Sequence, residues 1–102
     1  MLKGTLEGIV LALLERQPSY GYEITAELRA RGFAEIVEGT VYALLVRIER
    51  KSLVDVTSEP SAQGPPRKVY SLNARGRTEL AEFWHSWEFL ASQLAQLQQE
   101  GN

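Results

Sequence analysis

The chain has 102 residues, 44% of them hydrophobic and 24% charged, a composition typical of one globular domain and not of a disordered segment. With no cysteine and a single histidine, His85, the sequence excludes disulfides and a cysteine–histidine zinc site, and we expect no metal and no cofactor. No stretch approaches the roughly 20 apolar residues of a membrane span, so we expect a cytoplasmic protein with no membrane partner.

Charge is distributed unevenly along the chain, although the net charge is only −2. Residues 40–77 carry seven basic side chains against three acidic ones. Residues 78–102 carry four acidic side chains and no basic one. This polarity predicts a basic face in the middle of the chain and an acidic end.

The first half of the chain predicts helices. Apolar residues at helical spacing predict helix 1 over residues 4–16, and the proline at position 18 ends it. Ser19 is the expected N-cap of helix 2, predicted over residues 20–31 with Gly32 as its C-cap. Helix 3 is predicted over residues 38–51, with basic side chains opposite its apolar stripe.

After helix 3 the pattern changes to strands. Residues 53–58 are rich in β-branched residues and predict a strand, residues 67–72 predict a second, and a loop with prolines and a glycine separates them. Asn73 is the expected N-cap of a long last helix. The fold class is therefore mainly α with a small β-hairpin (α+β), in the order α1-α2-α3-β-β-α4 of a winged helix-turn-helix.

Three motifs resemble the PadR family of bacterial winged-helix repressors. They are SYGYEI at residues 19–24, EGTVYALL at 38–45 and GPPRKVYSL at 64–72. The resemblance extends from residue 2 to about residue 82. A single helix after the wing is similar to the smaller subgroup that includes multidrug-sensing repressors. It implies a transcriptional regulator that binds double-stranded DNA at a palindromic operator.

The DNA-binding candidates lie on helix 3, on the wing and at the start of helix 2. Backbone N–H groups at a helix start attract phosphate, and hydroxyl and cationic side chains bind it. Two alternatives stay open: Thr40 as a helix cap with Tyr42 half-buried, and the wing cations as ordinary surface charges. The candidates are Tyr20, Tyr22, Gly39, Thr40, Tyr42, Arg47, Arg50, Lys51, Arg67 and Lys68.

The chain departs from the family pattern at three positions around helix 3. Val37 stands where a small polar residue usually precedes the helix, and Ser52 stands in place of the usual glycine after it. Val46 replaces a usual basic residue, which removes an expected phosphate contact.

The last helix carries an apolar seam with steps of three and four residues over about two and a half heptads. Such a seam beyond the domain core predicts a partner helix, so we expect a homodimer. The predicted units are residues 1–72, the DNA-binding domain, and 73–102, the dimerisation helix. The expected interface residues are Leu6, Leu80, Phe83, Trp87, Leu90, Leu94 and Leu97.

Trp87 lies in the middle of the seam. In the multidrug-sensing relatives a tryptophan in a similar setting lines a ligand pore between subunits. The resemblance therefore implies a small planar hydrophobic effector that binds Trp87 and Phe83. The alternative is that Trp87 only fills the subunit interface.

The sequence presents no nucleophile with a neighbouring base and no glycine-rich phosphate loop, so we do not expect an enzyme. The expected function is a homodimeric, sequence-specific repressor of transcription. The alternative is a winged-helix protein-interaction module without DNA binding, which the sequence pI of 5.4 and Val46 favour.

Overall fold

Apolar stripes on three short helices and one long helix meet in a single core beneath a small sheet. The computed structural model describes residues 2–101, so Met1 and Asn102, the outer limits of the two predicted units, lie outside the described residues. The elements are α1 (Leu2–Arg16), β1 (Ser19–Tyr20), α2 (Gly21–Ala30), α3 (Glu38–Arg50), β2 (Val54–Glu59), β3 (Arg67–Leu72) and α4 (Ala74–Glu100).

The winged-helix order predicted from the sequence is confirmed, with one strand added. Ser19 and Tyr20 pair with Tyr70 and Val69, so the antiparallel sheet has the order β1-β3-β2. The prediction that Ser19 caps helix 2 was wrong, because Tyr20 occupies the N-cap position and Ser19 belongs to the strand. The Glu23 carboxylate accepts the Tyr20 backbone N–H at 2.8 Å, which satisfies a donor at this helix start.

Helices α2 and α3 end in the same hydrogen-bonding motif. The N–H of Phe33 donates to the carbonyl of Leu28, and Gly32 takes a left-handed φ of +111°. After α3, the N–H of Leu53 donates to the carbonyl of Ile48, and Ser52 has a φ of +61°. Ser52 thus occupies a position that favours glycine.

Helix α4 begins at the predicted cap. The Asn73 side-chain oxygen accepts the N–H of Gly76 at 2.8 Å, and its amide donates to the carbonyl of Ser52 at 3.0 Å. The bond to Ser52 joins the start of α4 to the end of α3. Gly76 is required there, because a Cβ would lie 2.5 Å from Leu72 Cδ1 and would meet the backbone oxygen of Leu53.

The first third of α4 packs on its own domain and the remainder extends away from it. Leu80 is buried in the core, and Phe83 packs against its edge. Every residue from 91 to 100 is exposed within its own chain. Helix α4 is therefore a core element at one end and a projecting arm at the other.

Candidate nucleic-acid and subunit interfaces

Helix α3 divides into a buried and an exposed face. Val41, Leu44, Leu45 and Ile48 point into the core, as the sequence pattern predicts. The opposite face exposes Gly39, Thr40, Ala43, Val46 and Arg50. Of these five residues, Thr40 and Arg50 are the two whose side chains can donate hydrogen bonds.

Gly39 has no steric explanation among the described residues. It lies in the first turn of α3 with a helical backbone, and an added Cβ would meet no described atom within 4 Å. A glycine in a helix is less stable than alanine by about 1 kcal/mol. A glycine in open space at a helix start is a place where a ligand can approach the backbone closely.

Tyr42 lies on the flank of α3 that faces the start of α2. A Cβ added at Gly21 would lie 2.8 Å from Cε1 of the Tyr42 ring. The absence of a side chain at Gly21 therefore lets the Tyr42 ring lie against α2. Tyr42 remains 45% exposed, so the half-buried alternative was wrong, and its contact with DNA stays a prediction.

A cluster of four side chains joins β1 and α2 to the base of the wing. The rings of Tyr20 and Tyr22 stack with centroids 5.5 Å apart and an interplanar angle of 9°. The Arg67 guanidinium lies 5.8 Å and 5.7 Å from these two ring centroids, within the range of a cation–π contact. The Tyr20 hydroxyl donates to the Glu59 carboxylate, and the backbone of Glu59 lies opposite that of Arg67 in the strand register of the hairpin. We call these four residues the wing-base cluster.

The hydrogen bond to Glu59 changes what Tyr20 can offer to DNA. The Tyr20 hydroxyl proton is already donated to Glu59, and this bond, with a smaller effect of desolvation, raises the pKa of Tyr20 above its ordinary value of 10.0. Among the predicted DNA-binding tyrosines, Tyr22 and Tyr42 are exposed, whereas Tyr20 is half-buried and anchors the wing.

A groove of about 560 Å³ lies between α3 and the wing. Its lining includes five of the predicted DNA-binding residues together with Val46 and the loop prolines. Lys68 also lies 3.8 Å from the Glu49 carboxylate, a weak and exposed ion pair. The five that the structure brings together here are Tyr20, Tyr22, Tyr42, Arg67 and Lys68.

Arg47 and Lys51 lie on the other flank of α3, away from the groove. Lys51 Nζ is 2.8 Å and Arg47 Nε is 3.3 Å from the carboxylate of Glu7 on α1. The structure thus places the charged groups of Arg47 and Lys51 on Glu7 and leaves Arg50 apart from them, and their role as DNA contacts stays a prediction. The sequence analysis did not single out Glu7, although a carboxylate within the apolar stripe of helix 1 was the available signal.

The predicted subunit seam is only partly exposed. Leu80 is 1% exposed, so it belongs to the core of its own chain, and its assignment to the subunit interface is corrected. Leu6 and Phe83 are half-buried against that core, and a Cβ added at Gly8 of α1 would meet the Phe83 ring. The more distal seam positions Trp87, Leu94 and Leu97 are exposed, and Leu90 is half-exposed.

The two residues expected to bind an effector share a cleft between α1 and α4. The cleft has a volume of about 350 Å³ and is lined by Gly4, Phe83, Trp87 and Leu90 among others. Trp87 is 42% exposed there within one chain. The structure therefore leaves part of Trp87 accessible within one chain.

Residues 2–101 contain no helix long and apolar enough to cross a membrane. The same part of the chain holds no group of three or more acidic, histidine or cysteine side chains that would suit a metal ion.

Comparison with known proteins agrees with this architecture. A protein of Lysinibacillus sphaericus, itself uncharacterised, is 32% identical over 89 residues, which cover 85% of this chain and 82% of that protein. The crystal structure of a Streptococcus transcriptional regulator is 38% identical, with 95% of each chain covered and a TM-score of 0.85. A PadR-like transcriptional regulator from Bacillus cereus is 37% identical, with 97% of this chain and 96% of that chain covered and a TM-score of 0.84.

The model of the transcriptional regulator PadR-like family matches residues 10–82, which include α2, α3, the wing and the first turns of α4. The three motifs quoted from the sequence all lie within this match. Members of the family are regulators of transcription and not enzymes. The chain belongs to the PadR-like family of transcriptional regulators.

Proposed function

We propose that this regulator binds a palindromic operator in double-stranded DNA as a homodimer and represses transcription. The observation that carries the proposal is the groove between α3 and the wing, where Tyr22, Tyr42, Arg67 and Lys68 present hydroxyl and cationic groups. Such groups bind phosphate oxygens and fix a protein on the duplex. Gly39, at the open start of α3, lets the backbone N–H groups there approach a phosphate.

The dimer follows from the arm of α4. The exposed apolar side chains of Trp87, Leu94 and Leu97 need a cover, and a second copy of the same helix offers a matching seam. In this proposal residues 1–72 form the DNA-binding domain and residues 73–102 hold the subunits together. A two-fold dimer presents its two α3 helices to half-sites about 34–36 Å apart on one side of the duplex.

A flat hydrophobic effector that enters the cleft beside Trp87 and Phe83 would release the DNA in this proposal. The open ring of Trp87 offers a stacking surface worth about 0.5–1.5 kcal/mol beyond burial. The effector shifts DNA affinity only by binding two dimer geometries unequally. Titration of planar dyes, followed by tryptophan fluorescence in a Trp84→Phe background, tests this. Quenching that survives Trp87→Ala would contradict the site.

The test of DNA binding is a salt titration on the protein's own upstream DNA. Arg67→Gln and Lys68→Gln are each expected to weaken binding and to lower the salt slope by about one unit. Arg75→Gln is the matched control, since it removes the same charge beyond the opposite end of β3. Unchanged affinity in the wing double variant would contradict DNA binding through this groove.

A protein-interaction module without DNA binding is the second candidate. It is favoured by Ala43 and Val46, which make the centre of the exposed α3 face apolar. Wild-type protein that shows no salt-dependent binding to either operator or mixed-sequence duplex would support this alternative.

A further inference from the structure

Glu7 is a charged side chain inside the fold. It lies on α1 between residues that pack into the core, and it is 5% exposed. Removing a carboxylate from water is costly unless cations and hydrogen bonds compensate for the lost hydration. The structure supplies two cations, so Glu7 is held in a defined position.

Both cations come from the end of α3. Arg47 lies in its last turn and Lys51 caps it, one helical turn further on. Lys51 Nζ donates to one Glu7 oxygen at 2.8 Å, and Arg47 Nε lies 3.3 Å from the other. The carboxylate therefore contacts two successive turns of α3 and restrains its rotation about its own axis as well as its distance from α1.

The remaining polar surroundings of Glu7 are sparse. Glu79 of α4 lines the same small cleft as Glu7, Arg47 and Lys51, and Gly8 beside it receives the Phe83 ring. Glu7 thus lies where α1, α3 and α4 meet. Helix α1 packs against α4, and the ion pairs of Glu7 link it to the end of α3, which otherwise packs on α2 and β2.

We propose that Glu7 is a positioning residue for DNA recognition: it holds Arg47 and Lys51 so that α3 presents its exposed face to the bases in one orientation. The inference rests on the proposed DNA-binding function. In this proposal Arg47 and Lys51 hold α3 in place through Glu7, instead of contacting phosphates as the sequence predicts. Arg50, next to Lys51 in the chain, makes no ion pair among the described residues and stays available to DNA.

The experiment compares Glu7→Gln, Lys51→Gln and Arg50→Gln on operator and on mixed-sequence duplex across a salt titration. Glu7→Gln is expected to weaken operator binding about tenfold, the effect of one lost base contact, and to leave mixed-sequence binding unchanged. Lys51→Gln is expected to keep the wild-type salt slope. Arg50→Gln is expected to lower that slope by about one unit.

A double-mutant cycle separates positioning from a general loss of stability. In a Lys51→Gln, Arg47→Gln background, Glu7→Gln is expected to cause no further loss of operator affinity, because its partners are gone. Urea unfolding verifies that each variant is folded under the binding conditions. If Glu7→Gln does not fold, Lys51→Gln and Arg47→Gln test the proposal in its place. Both are expected to bind the operator more weakly than wild type with an unchanged salt slope.

Four results would overturn the proposal. Stronger binding of Glu7→Gln to both duplexes, or a lower salt slope in Lys51→Gln, would mean that the cations contact phosphates. Unchanged operator affinity in a folded Glu7→Gln would mean that the carboxylate only stabilises the fold. Wild-type protein that binds no duplex would remove the proposed function itself, and this is seen before any variant is made.

Discussion

Replacing Gly39 by alanine separates the stability of the regulator from its binding of DNA, because the two are expected to change in opposite directions. Gly39 takes a helical backbone in the first turn of α3, and a Cβ there would meet no described atom within 4 Å. Nothing in the described fold therefore opposes a methyl group. In the complex, the same methyl group would occupy the space that a phosphate needs beside the helix start.

The magnitudes follow from these two environments. A compatible glycine-to-alanine change stabilises a protein by about 0.4–1 kcal/mol, mainly by restricting the unfolded chain. For a domain of this size that corresponds to a rise of several degrees in Tm, since about 1 kcal/mol shifts Tm by roughly 4–8 °C. Loss of one backbone-to-phosphate hydrogen bond, a bond to a charged group, costs about 1.5–3 kcal/mol, or roughly 10- to 150-fold in affinity.

The assay measures urea unfolding and operator binding on the same preparations at one protein concentration. Gly4→Ala is the control, assayed without any added effector because Gly4 lines the cleft beside Trp87: Gly4 also lies in the first turn of a helix with open space around its Cα. Both variants are expected to be more stable than wild type, and only Gly39→Ala is expected to lose affinity. Wild-type operator affinity in a stabilised Gly39→Ala would refute the close approach of DNA to this helix start.

Four further results are expected. Val46 lines the groove and is 47% exposed, so Val46→Arg adds a cation to the groove wall. This variant should raise the salt slope of DNA binding by about 0.9 unit, whereas Val46→Gln should leave the slope unchanged. Ser52→Gly should raise the free energy of unfolding by about 0.5–1 kcal/mol in urea, since glycine relieves the left-handed φ at a partial cost in chain entropy; a loss of stability would contradict that strain. Leu80→Ala should lower the free energy of unfolding by about 2–5 kcal/mol at any protein concentration. A loss seen only in subunit association would mean that Leu80 belongs to the subunit interface after all. The hydrogen bond to Glu59 raises the pKa of Tyr20, so in Glu59→Gln an ultraviolet titration should show Tyr20 ionising at lower pH. The contribution of this bond to stability is complete below the ordinary tyrosine pKa and is lost as pH rises through the raised pKa. An unchanged titration would mean that the hydrogen bond does not raise the pKa.

The helices and the hairpin were predictable because their signals are local. The apolar stripe of α3, the Asn73 cap and the Gly32 C-cap each act within one or two helical turns, so the chain itself contains the evidence. The wing was predictable from the β-branched run of its first strand and the proline-containing loop after it. Its β2 strand begins and ends one residue later than expected, a normal error at strand ends.

Strand β1 and the ion pairs of Arg47 and Lys51 depend on contacts between distant segments. Strand β1 is two residues long and exists because β3 offers it a free edge, a fact that no local pattern contains. Arg47 and Lys51 were read as DNA contacts since basic residues opposite an apolar stripe usually face solvent. Their ion-pair partner Glu7 lies 40 residues from Arg47 and 44 from Lys51 in the chain, so no local pattern reveals the contact.

The predicted DNA-binding residues show the same division. Arg67 was expected from the sequence to be a free wing cation, yet it lies over two stacked tyrosine rings. That arrangement needs Tyr20 in a strand and Tyr22 in the first turn of α2, whereas the predicted helix 2 included both residues. A charge pattern predicts which segment is basic, whereas tertiary pairing determines which of its cations point outward.

The arm of α4 also has a consequence for local folding. Residues 91–100 form the end of a continuous helix whose backbone no described part of the chain covers. Isolated helices shorter than about 12–15 residues are marginal in water. We therefore expect the backbone amides of this stretch to exchange rapidly in dilute protein and slowly once a partner covers the seam, while those of α3 and β3 stay protected throughout. Hydrogen exchange at the end of a single helix would then measure association without any label.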